Sequence, residues 1–106
     1  MANDIQMLTG ENFHAEIKKG VVLVDFYADW CGPCRMLTPV LAQVAQEIAG
    51  KAFIGKLDIE QAQDITEELR VSSVPTLILF KDGKEQKRVI GLKDAEFLKE
   101  FICSVC

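Results

Sequence analysis

No stretch of the 106 residues approaches the roughly 20 consecutive apolar side chains that a membrane span requires. Residues 1–10 hold no lysine or arginine and no long apolar core, so no secretory signal is expected there. Basic clusters are missing too. Twelve lysines and arginines against sixteen aspartates and glutamates leave a net charge of −4, which disfavours nucleic acid and anionic membrane as partners. Histidine occurs once, as His14 on a polar helix face, where solvation explains it better than a ligand role. Repeats, linkers and low-complexity tracts are absent. The remaining composition, 49% hydrophobic and 26% charged, is ordinary for one globular domain spanning residues 1–106. A chain of this size buries about two thirds of its unfolded surface and needs no staple. A cytoplasmic, reducing compartment is the default expectation. There, closely spaced cysteines mean catalysis or metal more often than structural cross-links.

The four cysteines fall in two pairs of equal spacing, Cys31-Gly32-Pro33-Cys34 and Cys103-Ser104-Val105-Cys106. The first pair sits where a nearly continuous apolar run, residues 21–28, gives way to a helix-periodic run, residues 36–48. The former reads as a strand covered on both faces and the latter as an amphipathic helix. If Cys31 opens that helix, its sulfur faces unpaired backbone N–H groups and the positive end of the macrodipole. Both favour the thiolate, the form that attacks disulfides. Cys34 falls one turn further in, shielded and close enough to bond to Cys31. Pro33 forfeits no helical hydrogen bond in a first turn, and Gly32 leaves room for a substrate. A chance pair of core cysteines is the weaker reading for a Cys-x-x-Cys beside a strand–helix junction.

The rest of the chain alternates between strand and helix patterns. Residues 1–3 read as a loose end and residues 4–8 as a short strand. Thr9 is the expected N-cap of a helix over residues 10–18, with Phe13 and Ile17 on one face and Gly20 ending it. On the helix after the cysteines, Met36, Val40, Val44 and Ile48 form an apolar stripe, flanked by Leu37, Leu41 and Ala45. Pro39 predicts a kink there, and Gly50 closes the helix. Residues 52–58 read as a strand, and Ala62, Ile65 and Leu69 mark a shorter helix, implying a right-handed parallel crossover. Residues 76–80 are another buried strand, Asp82-Gly83 a tight turn, and residues 85–90 an antiparallel edge strand broken by Gly91. Asp94 caps a last helix with Phe97, Leu98, Phe101, Ile102 and Val105 inward. The sum is an α/β fold, a mixed sheet of about five strands with helices on both faces.

The segment Trp30-Cys31-Gly32-Pro33-Cys34 resembles the thioredoxin family, as do Phe26-Tyr27-Ala28 before it, Pro39 after it and Val74-Pro75-Thr76 downstream. At equal spacing the resemblance covers nearly the whole chain. It implies the thioredoxin fold, a central mixed five-stranded sheet flanked by four helices. It implies a protein-disulfide reductase and electron carrier, without cofactor or metal, in which Cys31 attacks, Cys34 resolves and the two end as a disulfide. A Gly-Pro interior goes, in that family, with a reducing role. The implied partners are a thioredoxin reductase as electron donor and many disulfide-containing targets, with the chain acting as a monomer.

Several residues support this chemistry. Asp25 is a carboxylate within an apolar strand; burial would raise its pKa and let it take the Cys34 proton, directly or through water. A strand-edge aspartate in water is the alternative. Lys56 lies on the strand expected beside Asp25; the resemblance implies that it tunes the acid, and an ordinary exposed lysine fits the sequence equally well. The resemblance also implies a cis peptide before Pro75, and a contact patch of Trp30, Gly32, Pro33, Val74, Pro75, Ile90 and Gly91. For Ile90 a core position is the competing reading. Tyr27 reads as packing beneath the site and Pro39 as structural.

The chain departs from the family pattern at Ser73, where glycine is common, at Arg35, where lysine is common, and above all at the second cysteine pair. There Cys103 is expected to point away from the buried helix face, and an incidental tail, a redox relay, dimer cross-linking and metal stay open. Three rival functions are a four-thiolate zinc module, a non-catalytic docking subunit, and an oxidase or isomerase. The separation of the two pairs, the intact dithiol and the Gly-Pro interior weigh against them in turn.

Overall fold

The computed structural model describes residues 5–106, so the expected loose end at residues 1–3, and Asp4, lie outside the described residues. Five strands form one sheet: β1 (Ile5–Leu8), β2 (Val21–Tyr27), β3 (Phe53–Asp58), β4 (Thr76–Lys81) and β5 (Lys84–Ile90). Four helices connect or follow them: α1 (Phe13–Glu16), α2 (Gly32–Glu47), α3 (Gln63–Glu68) and α4 (Ala95–Cys103). The sheet order is β1-β3-β2-β4-β5. β3 runs parallel to both β1 and β2, while β4 is antiparallel to β2 and β5 antiparallel to β4. This is the mixed five-stranded, four-helix α/β architecture expected from the sequence.

β2 is central, and its alternation sorts the core into two layers. Val21 and Leu23 pack with Leu37, Leu41, Val44, Ile48, Leu98 and Ile102, under α2 and α4. Val22, Val24 and Phe26 pack with Phe13, Ile17, Ala62 and Ile65, under α1 and α3. A strand sealed on both faces has no solvent side on which to place polar residues. That is why β2 reads as an unbroken apolar run, and why Asp25 within it stands out. By the same alternation Asp25 belongs to the α2 face.

Three local expectations are corrected. The first helix is one turn, Phe13–Glu16, rather than residues 10–18. Thr9 and Asn12 exchange backbone-to-side-chain hydrogen bonds of 2.8 and 3.1 Å, and the Phe13 N–H donates to the Thr9 carbonyl at 3.0 Å, so Thr9 caps the turn that leads into the helix. On α2 the buried residues are Cys34, Leu37, Leu41, Val44 and Ala45, and Met36 is 62% exposed. The inward stripe follows the 3.6-residue period from Cys34, and a four-residue count started at Met36 begins off it and meets it only at Val44 and Ile48. On α4, Leu98 and Ile102 are buried, whereas Phe97 stacks on Phe101 near the surface, 5.8 Å between centroids.

Elsewhere the local chemistry agrees with the elements. Asp94 caps α4, its carboxylate accepting the Phe97 N–H at 2.8 Å. Asp82 and Gly83 both have positive φ, 53° and 88°, as a two-residue turn between right-twisted strands requires. α2 continues through Pro39.

Candidate active site at the mouth of helix α2

The site forms where β2 ends and α2 begins. Residues 28–30 turn the chain, with the Cys31 N–H donating to the Ala28 carbonyl at 3.2 Å. Cys31 is extended (φ −89°, ψ 114°) and is itself the N-cap of α2, its sulfur accepting the Cys34 N–H at 3.1 Å. Thus a sulfur occupies the place where a serine or aspartate oxygen ordinarily satisfies a helix's first donors. Cys31 and Cys34 are joined as a disulfide, with Cα atoms 5.3 Å apart. Both are nearly buried, at 4% and 2% exposure. The space beside Gly32 is open, and a methyl there would meet nothing within 4 Å. Pro33 is exposed in the first turn.

Two other loops meet this corner. The Val74 carbonyl oxygen stands 3.9 Å from the Cys31 sulfur, and the Val74–Pro75 peptide bond is cis. The Pro75 carbonyl accepts the Gly91 N–H at 2.9 Å, which ties the end of β5 to the same loop. Gly91 has φ +101°, where side chains are strained. Ile90, opposite Thr76 in the β4–β5 register, is exposed, so the core reading fails for it. Trp30 is 64% exposed, and its indole N–H donates to Glu60 at 2.7 Å. Of the expected contact residues, Trp30, Gly32 and Pro33 flank the cysteines in sequence, Val74 packs against the disulfide, and Gly91 is tied to the same loop through Pro75.

The buried acid lies within β2, on the face that packs under α2. Asp25 is fully buried, and neither of its oxygens has a hydrogen-bond partner. Burial pushes its pKa up from 3.8 to about 7, against the opposing pull of the Lys56 charge. Lys56 is its register partner on β3 and is half-buried. The Lys56 ammonium donates to Thr38 on α2 at 3.2 Å and lies 4.5 Å from the Tyr27 ring centroid. A small cleft of about 110 Å³ opens here, lined by Tyr27, Ala28, Asp29, Cys34, Arg35, Thr38 and Lys56. It is roomy and polar enough for water, and it joins Cys34 to Lys56.

Thr38 and Glu60 carried no signal in the sequence. Each hydrogen-bonds a partner, Lys56 or Trp30, that only the strand register and the turn after β3 bring near. His14 is paired with Glu68 at 2.9 Å on the surface. Among the described residues, no group of three or more His, Cys, Asp or Glu stands close enough to hold a metal. Nor is any helix among them long and apolar enough to cross a membrane.

Residues 4–104 match the family model described as Thioredoxin. The chain belongs to the thioredoxin family. It is 53% identical to a thioredoxin of Chlamydia pneumoniae over 92% of this chain and 95% of that protein. It is 46% identical to a thioredoxin of Staphylococcus saprophyticus over 92% and 94%. In three dimensions it resembles a mutant thioredoxin from Halobacterium salinarum NRC-1, with a TM-score of 0.88, 38% identity, and coverage of 99% of this chain and 94% of that one. The chain is a disulfide oxidoreductase of the thioredoxin type, an electron carrier whose redox-active pair is Cys31–Cys34.

Proposed function

We propose that the chain, as one domain and as a monomer in the cytoplasm, reduces disulfides in many proteins, with each residue of the α2 mouth in a definite role. The observation that carries this reading is the Cys31 sulfur at the N-cap of α2, accepting a backbone N–H. In the reduced form those donors, and the macrodipole behind them, favour the Cys31 thiolate. Cys31 attacks one sulfur of a target disulfide, and the other target sulfur leaves as a thiolate. Cys34 then loses its proton and displaces the target from Cys31. The target leaves with two thiols, and Cys31–Cys34 closes as a disulfide.

Cys34 is buried and less acidic, so its proton needs an acceptor. Asp25 fits that need. Its carboxyl lies on the α2 face of β2, its pKa stands near 7, and its register partner Lys56 lines, together with Cys34, a cleft that can hold water. Lys56 holds part of the acid population ionised, since its charge lowers the Asp25 pKa. Val74, Pro75 and Gly91 offer backbone to an extended target segment, while Trp30, Gly32, Pro33 and Ile90 provide unspecialised apolar contact suited to many targets. A thioredoxin reductase returns the two electrons. The cytoplasm is the compartment whose reducing conditions suit a dithiol that must be kept open.

The test is Cys34→Ser. With a protein disulfide as substrate it should accumulate a Cys31-linked mixed disulfide, stable to gel analysis without reductant. Multiple turnover should fall to the level of Cys31→Ser. Normal turnover by Cys34→Ser would overturn the assignment.

A further inference from the structure

The second cysteine pair is unused by this cycle and sits elsewhere. Cys103 closes α4 and Cys106 follows it past the last helical turn. Both are free and exposed. A backbone hydrogen bond from the Cys106 N–H to the Cys103 carbonyl, 3.4 Å, folds the segment into a single turn. That turn brings residues three apart onto one side, the spacing at which Cys31 and Cys34 are already bonded. The Cys106 sulfhydryl donates to the Ile102 carbonyl at 3.5 Å. Burial and the neighbouring Cys103 thiol push the Cys106 pKa up, opposed by the charges of Lys51 and Lys81. Val105, between them, packs against the α2–α4 core and anchors the segment.

Those two lysines also fix the location. Lys81 pairs with Val21, the first residue of β2, and Lys51 follows the end of α2. β2 climbs about 20 Å from Val21 to the Cys31 corner, and α2 returns about 24 Å. The two cysteine pairs therefore stand at opposite poles of a molecule with extents of 30 × 29 × 26 Å. No exchange between them is possible within one molecule.

We propose that Cys103 and Cys106 form a second two-electron couple, closed by exchange with a disulfide of another molecule and more reducing than the Cys31–Cys34 pair. The contrast is one of helix polarity. Cys31 opens a helix, where N–H groups favour its thiolate, while the second pair ends one, where outward carbonyls oppose negative charge. A couple whose dithiol form lacks thiolate stabilisation gives up its electrons more readily. The oxidant at hand is the Cys31–Cys34 disulfide of a second copy. One tail sulfur, as thiolate, attacks it and a sulfur of that disulfide leaves. The other tail sulfur displaces the remaining one, and a Cys103–Cys106 bond closes. Two electrons and the two tail protons end on the second copy's dithiol. The tail thus serves as an electron reserve that refills the working site.

This inference rests on the exchange chemistry of Cys31–Cys34, so its test has two arms. In the first, reduced Cys31→Ser/Cys34→Ser protein is mixed with an equal amount of oxidised Cys103→Ser/Cys106→Ser protein. The thiols are then blocked and weighed by mass spectrometry. The expected result is an intramolecular disulfide in the former and two free thiols in the latter, with an equilibrium constant of at least ~10 in that direction. An equilibrium lying the other way overturns the proposal. In the second arm, glutathione disulfide alone should close the tail of the Cys31→Ser/Cys34→Ser protein. Persistent free thiols, stable glutathione adducts or disulfide-linked dimers there overturn it without touching the main cycle. Protein-disulfide reduction by Cys103→Ser/Cys106→Ser, with a reductase present, should match the unsubstituted protein; a failure in that assay bears on the main cycle instead.

Discussion

Asp25 is the residue on which the proposed proton transfer rests. Desolvation favours the neutral form of a carboxyl with no hydrogen-bond partner in a sealed strand, and the Lys56 charge works against it. Its pKa near 7 places it half ionised at the pH where Cys34 must be deprotonated. With Asp25→Asn, the rate of mixed-disulfide resolution should lose its inflection near pH 7 and fall about 100-fold or more at neutral pH, the size of a lost general base. The alkylation rate of Cys31 should change much less. Stopped-flow resolution of a preformed mixed disulfide across pH 5–9 separates the two. An unchanged profile would remove the proton-transfer role.

Among the elements, α2 and β3 show why some parts were legible in sequence and others were not. The apolar run of β2, the stripe on α2 and the Asp82-Gly83 turn are read from neighbours a few residues away, where periodicity and φ preference act directly. In α1 the Thr9 cap is equally local, its hydroxyl accepting the Asn12 N–H, but the regular turn starts only at Phe13. The site divides the same way. Cys31, Cys34 and the capping geometry are local, whereas the pairing of Asp25 with Lys56 depends on the β2–β3 register, and Glu60 and Thr38 depend on both register and rotamer. Gly55 is another residue whose reason is purely tertiary. A Cβ there would come within 2.7 Å of Leu8 Cδ1 and 2.9 Å of Leu8 Cγ, across the β1–β3 pairing. Leu8 is itself buried in the α1–α3 layer and has little room to yield. Gly55→Ala should lower stability by about 1–3 kcal/mol, read from the urea midpoint, with disulfide exchange at Cys31 unaffected. An unchanged midpoint would mean that the β1 edge moves freely.

For the whole molecule, the buried acid links stability to pH. Asp25 has a folded pKa of about 7 against an ordinary 3.8, so it binds a proton more tightly when folded. Its contribution is fully present below about pH 4, is lost as pH rises toward 7, and is flat above. The difference corresponds to a cost on the order of 4 kcal/mol at alkaline pH. Asp25→Asn, which stays neutral, should therefore be more stable than the parent at pH 8, and the advantage should shrink on acidification to pH 4. Denaturant unfolding at the two pH values checks the sign. The chain accepts this penalty at its centre and positions its two cysteine pairs at opposite poles, one at a helix start and one at a helix end. The most direct measurement is alkylation of the fully reduced protein by iodoacetamide as a function of pH, followed residue by residue by mass spectrometry. Cys31 should react first, with a midpoint well below that of an ordinary peptide thiol near 8.5 and at least ~10-fold faster at pH 7 than Cys106. A Cys31 that titrates like an unfolded peptide thiol would contradict the account at its root.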